Sequence, residues 1–146
     1  MQVRANRQLP RDDIRPTLAK FPNSLSNELD LLSALKRIHE FKSLPIDWNG
    51  LGSEPPTYSA SAQAAMVLFA LASESLRPER VAPSADGGVG ITLRRSGKFA
   101  SIESLNSGEI VVLTSDGTGN PRAWEIDASD AGFRATAQTL REYFER

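Results

Sequence analysis

Gly88-Val89-Gly90-Ile91-Thr92-Leu93-Arg94-Arg95-Ser96-Gly97-Lys98-Phe99-Ala100-Ser101-Ile102-Glu103-Ser104-Leu105 is the stretch on which the fold turns. Val89, Ile91 and Leu93 alternate with small or polar residues, the two-residue period of a strand with one buried face. Ser96-Gly97 then interrupts the pattern as a two-residue turn, the signal of a tight hairpin. The reading predicts strands over Gly88–Arg95 and Lys98–Asn106, antiparallel, with Arg95 opposite Lys98. Like charges directly opposite are tolerated only in solvent, so this end of the hairpin is expected to be wet.

The pattern continues downstream. Ile110 and Val112 alternate within Glu109–Ser115, and Trp124 and Ile126 within Arg122–Asp127. Asn106-Ser107-Gly108 and the Gly-rich Asp116–Pro121 supply the turns. Short connections force antiparallel neighbours, so these strands form a meander. Arg80–Ser84 is a candidate fifth strand ahead of the turn at Asp86-Gly87-Gly88.

Outside the strands the period becomes helical. From Asn27 to Lys42, Leu31, Leu35, Ile38 and Phe41 form one stripe, with Asn27 as the cap and Pro45 as the stop. A second helix, capped by Thr57 or Ser59, runs to about Leu76. Ala62, Met66 and Phe69 lie on one of its stripes, and Val67, Leu68 and Leu71 on another. An apolar circumference of this kind predicts a central helix. Asp127 or Ser129 caps a last helix over Asp130–Phe144, with Phe133, Ala137, Leu140 and Phe144 in line. The fold expectation is therefore α+β: two N-terminal helices, a four- or five-stranded antiparallel meander and a C-terminal helix. Residues 1–23 read separately, as a flexible basic arm broken by Pro10, Pro16 and Pro22, ahead of a single domain over 24–146.

Composition excludes more than it selects. The chain has 146 residues, enough for one domain with a sizeable core. Its net charge of −1 supplies no global field for nucleic acid or membrane. Without cysteine it has no disulfide, thiolate metal site or cysteine nucleophile, and it fits a reducing cytoplasm. Met1 to Arg7 lack the apolar core of a secretory signal, and no apolar run reaches the roughly 20 residues of a membrane span. A cytoplasmic protein with no membrane contact is expected.

Several motifs are weak on inspection. His39 is the only histidine and has no cysteine to share a zinc site with. Gly87-Gly88-Val89-Gly90 precedes a strand, whereas a dinucleotide loop opens a helix. Asp116-Gly117-Thr118-Gly119-Asn120 mimics the start of a calcium loop, but Pro121 stands where such a loop requires glycine. No catalytic residue, metal site or cofactor is assigned. Carboxylates at Asp47, Glu54, Asp86 and Glu103 leave open an enzyme acting near Asp47 and Asp86. Arg4, Arg7, Arg11, Arg15 and Lys20 leave open a nucleic-acid-binding arm.

The most distinctive segment lies between the first two helices: Leu44-Pro45-Ile46-Asp47-Trp48-Asn49-Gly50-Leu51-Gly52-Ser53-Glu54-Pro55-Pro56. Two glycines permit sharp turns, and Asp47 and Asn49 have side chains that bond nearby backbone N–H groups. Trp48 is expected to pin this loop to the core between the two helices, near Phe41 or Phe69. A tryptophan among polar turn residues also suits an interface hot spot. The candidate binding residues are Asp47, Trp48, Asn49, Leu51, Ser53, Glu54 and, from the later turn, Asp86.

This loop, followed by Pro83-Ser84-Ala85-Asp86-Gly87-Gly88, resembles a family of small uncharacterised bacterial proteins. Their pattern approximates W-D-G-Y-G-A-x-P, then a helix, then P-x-x-D-G-G entering a sheet. The likeness spans roughly Asp47 to Ser115, about half of the chain, and departs from the pattern at Asn49, Leu51 and Ser53. The resemblance implies no particular activity. Its members look like accessory proteins of mobile or toxin–antitoxin-type loci. The likeness leans toward partner binding, and the expected function is a non-enzymatic module of antitoxin, immunity or inhibitory type that binds and occludes a protein partner.

Overall fold

A computed structural model describes residues 28–146. The basic arm, its arginines and Asn27 lie outside the described residues. The described chain is α+β. It runs α1 (Leu31–Glu40), a 3₁₀ turn (Phe41–Ser43), α2 (Tyr58–Ser73), β1 (Arg80–Pro83), β2 (Gly88–Arg95), β3 (Lys98–Leu105), β4 (Ile110–Ser115), β5 (Arg122–Glu125) and α3 (Asp130–Glu145). The strands form one antiparallel sheet in the order β1-β2-β3-β4-β5, the expected meander with its fifth strand present.

The central hairpin follows the local chemistry. Ser96 and Gly97 both take positive φ, at 53° and 81°, and Arg95 pairs with Lys98. The two like charges separate by finding different partners. Lys98 Nζ donates to the carbonyls of Tyr143 and Arg146, each at 2.8 Å, closing the C-terminal end of α3. Arg95 reaches toward Glu28 at 3.9 Å and lies 6.0 Å from the centre of the Phe144 ring.

Register decides which side chains are buried. Val81, Ile91, Ile102 and Val112 stand in one cross-strand row, all buried, with Trp124 partly buried at its end. The next row, Arg80, Thr92, Ser101, Leu113 and Ala123, faces the other way. All three helices pack on the first face. α2 lies against β2 and β3, α1 packs on α2 and β1, and α3 packs on α2. The second face carries no described element.

Two helix expectations need correction. α1 starts at Leu31, not Asn27, because the Leu29 N–H donates to the Pro78 carbonyl at 2.7 Å and keeps the chain extended there. Asp30 becomes the cap, its carboxylate accepting the Ser33 N–H at 2.8 Å. α2 is not apolar-buried all round. Ala60, Ala64, Val67, Leu68, Ala70 and Leu71 are buried, but Met66 and Phe69 are 43% and 50% exposed. One stripe of α2 meets the sheet and its neighbours, and the Met66–Phe69 stripe faces outward.

Candidate functional site

The loop between α1 and α2 is built from its own side chains. Asp47 adopts φ 62°, a left-handed conformation that aspartate tolerates better than most residues. Its carboxylate accepts the Gly52 N–H at 2.6 Å, and its carbonyl accepts the Gly50 N–H at 3.0 Å. The Asn49 side-chain oxygen accepts the Leu51 N–H at 2.9 Å, while its amide donates to Ser53 Oγ at 2.8 Å. The Asp47 N–H donates to the Ser53 carbonyl at 2.8 Å and closes the ring. Asp47 and Asn49 thus satisfy the backbone of their own loop, as the sequence leads one to expect.

Trp48 does not pack as the sequence suggests. It is half-buried and is not among the side chains packed on the core, and Phe69 beside its expected site faces solvent. The indole N–H instead donates to the Glu54 carbonyl at 3.2 Å, across the neck of the loop. Trp48 therefore braces the loop internally. Glu54 contributes its backbone oxygen, and its side chain is exposed.

Two residues attach this loop to the sheet. Ser53, buried, donates its hydroxyl to the Ala85 carbonyl at 2.7 Å, so the Trp loop touches the β1–β2 turn directly. Asn106, in the β3–β4 turn, accepts the Thr57 N–H at 2.8 Å and donates to the Pro55 carbonyl at 3.1 Å, and its own N–H donates to the Gly87 carbonyl at 2.9 Å. One asparagine thereby joins the exit of the Trp loop to both turns at that end of the sheet. In the sequence Asn106 is legible only as a turn former. Its partners are distant in the chain, and no local period marks it.

The β1–β2 turn is constrained by this crowding. Gly88 has φ 134°, and a Cβ there would collide with the Ser104 carbonyl and approach Leu105 Cα to 2.8 Å. Only glycine lets β3 come so close. Ser84 donates to Glu103 at 2.7 Å and accepts the Asp86 N–H at 3.2 Å. That places Asp86 and Glu103 together at the edge of the uncovered sheet face.

Two clefts on that face are lined by both Asp86 and Glu103. One, of about 220 Å³, includes Arg80, Ala82 and Thr92; the other, of about 280 Å³, includes Leu105, Val111 and Leu113. Asp47 lines neither, so the carboxylate that shares these clefts with Asp86 is Glu103. His39 is exposed on α1. Among the described residues no three histidine, aspartate or glutamate side chains are grouped to hold a metal ion. No helix among them is long and apolar enough to cross a membrane. The Asp116 carboxylate accepts from the hydroxyl and then the N–H of Thr118, which hold its pKa below the ordinary carboxylate value, and the segment is an exposed turn.

The Trp loop carries exposed aliphatic side chains beside its exposed carboxylates, Asp47 and Glu54. Ile46 is 78% and Leu51 84% exposed, and Tyr58 at the start of α2 is also exposed. Comparison with known protein families, with curated proteins and with solved structures gave no match.

Proposed function

We propose that this chain is a non-enzymatic protein-interaction module, of antitoxin, immunity or inhibitory type, that binds a partner and occludes it. The observation that carries this reading is the Trp loop. A closed set of hydrogen bonds from Asp47, Trp48, Asn49 and Ser53 holds the backbone while Ile46 and Leu51 point into solvent. A scattered exposed leucine needs no explanation. Two aliphatic side chains on a frame that has already lost its conformational freedom are different, because a rigid surface reduces the entropic cost of association. The frame is continuous, through Ser53 and Ala85, with Asp86 and the uncovered sheet face. The two-part motif resemblance supports the same reading, since its two halves are in contact here.

Carboxylate chemistry is a second reading. What favours it is the juxtaposition of Asp86 and Glu103 in shared clefts, with Glu103 as the partner in place of Asp47.

Photocrosslinking tests the interaction reading. A photoreactive residue is placed at Leu51, and in a second sample at exposed Gln138 on α3, in the intact chain expressed in its native host. The expected result is one protein crosslinked from position 51 and not from 138. Identical crosslinking from both positions would contradict the assignment.

A further inference from the structure

We infer that the cleft lined by Asp86, Glu103, Leu105, Val111 and Leu113 on the uncovered sheet face receives a lysine or arginine side chain, flanked by aliphatic neighbours, from a protein partner. This deepens the interaction reading and rests on it.

The lining divides by chemistry. Asp86 and Glu103 supply two carboxylates, while Leu105, Val111, Leu113 and Ala123 supply an apolar floor. Among the described residues no basic side chain lines this cleft, whereas its neighbour contains Arg80. Among the described residues the arginine ion pairs go elsewhere, Arg94 to Glu79, Arg95 to Glu28, and Arg141 to Glu74 and Glu145. Ser84 holds Glu103 through one carboxylate oxygen, and among the described residues no donor sits on the other. A lysine or arginine matches both halves, with an aliphatic stem for the leucines and valine and a charged head for the carboxylates.

The test uses three short blocked fluorescent peptides, alternating lysine with leucine, glutamate with leucine, and lysine with serine. Each is titrated with the full chain and followed by anisotropy. The lysine–leucine peptide should bind at least about tenfold more tightly than either of the others, and should weaken as salt is raised. Glu103→Gln keeps an oxygen for the Ser84 hydroxyl while removing the charge, and Leu113→Asp removes the apolar floor. Each should weaken that binding about tenfold, with far-ultraviolet circular dichroism unchanged. If Leu113→Asp fails to fold, Glu103→Gln alone decides. Equal binding of the glutamate–leucine peptide, no binding of the lysine–leucine peptide, or binding indifferent to Glu103→Gln would overturn the inference. Any of these alongside position-specific crosslinking from Leu51 would remove the cleft assignment and leave the interaction reading standing.

Discussion

Ser53 Oγ donates to the carbonyl of Ala85 at 2.7 Å, and this one bond joins the Trp loop to the β1–β2 turn. Ser53 also accepts from the Asn49 amide, so its hydroxyl belongs to both the loop and the sheet. Asn106 repeats the arrangement at the loop exit, linking Pro55 and Thr57 to the turns of the meander. The loop is therefore fixed by polar contacts, with Trp48 as an internal brace and not as a core anchor.

Ser53→Ala should destabilise the fold by about 1–3 kcal/mol, since the Ala85 carbonyl and the Asn49 amide both lose the partner that Ser53 Oγ supplies. Denaturant unfolding measures it. A midpoint equal to the parent's would show that the Ser53–Ala85 link does not hold the loop.

Asn106→Ala should cost a similar amount, about 1–3 kcal/mol, because both the Thr57 N–H and the Pro55 carbonyl lose their partner. Asn106→Asp preserves an acceptor for Thr57 but turns an acceptor oxygen toward the Pro55 carbonyl, so it too should lower the unfolding midpoint. A midpoint equal to the parent's in both variants would show that Asn106 does not hold the loop exit.

Gly88→Ala and Gly90→Ala form a matched pair. A Cβ at Gly88 collides with the backbone of β3 at a positive φ, whereas at Gly90 it meets only the Ala82 carbonyl at 3.7 Å. Gly88→Ala should cost more than about 2 kcal/mol, and Gly90→Ala less than about 1 kcal/mol. Equal effects in thermal unfolding would refute the close approach of β3 to the turn.

Acid stability should carry a signature of Asp30. The Ser33 N–H, and secondarily the Ser33 hydroxyl, hold the Asp30 carboxyl below its ordinary value. A carboxylate whose folded pKa lies below its unfolded value, about 3.9, stabilises the fold above that value. The contribution is lost as pH falls through the folded pKa. Asp30→Asn should therefore flatten the fall in urea midpoint below about pH 4. A variant whose acid profile overlays the parent's would remove Asp30 from the account.

The meander was legible in the sequence because its signals are local. Alternation over Val89, Ile91 and Leu93 and the Ser96-Gly97 turn fix the register that pairs Arg95 with Lys98. The Thr57 cap of α2 was legible for the same reason. The start of α1 was not, since the Leu29 N–H goes to Pro78, far along the chain. Trp48 was misplaced because size and hydrophobicity do not distinguish a core anchor from a ring that spends its N–H within its own loop. Met66 and Phe69 misled similarly, since an apolar stripe on α2 does not say whether an element covers it. Of the candidate site, Asp47 and Asn49 were read in their roles, while Asn106 and the Ser53–Ala85 link arise only from tertiary contact.

The most direct measurement is the paired stability and partner binding of Leu51→Asp. The partner is the protein crosslinked from position 51, purified and titrated against the parent and the variant. Leu51 is exposed at the tip of a loop whose hydrogen bonds use its backbone and not its side chain. The account predicts an unchanged thermal midpoint and a loss of partner affinity of at least about tenfold. Undiminished affinity in the folded variant would contradict the claim that the Trp loop is a preformed recognition surface.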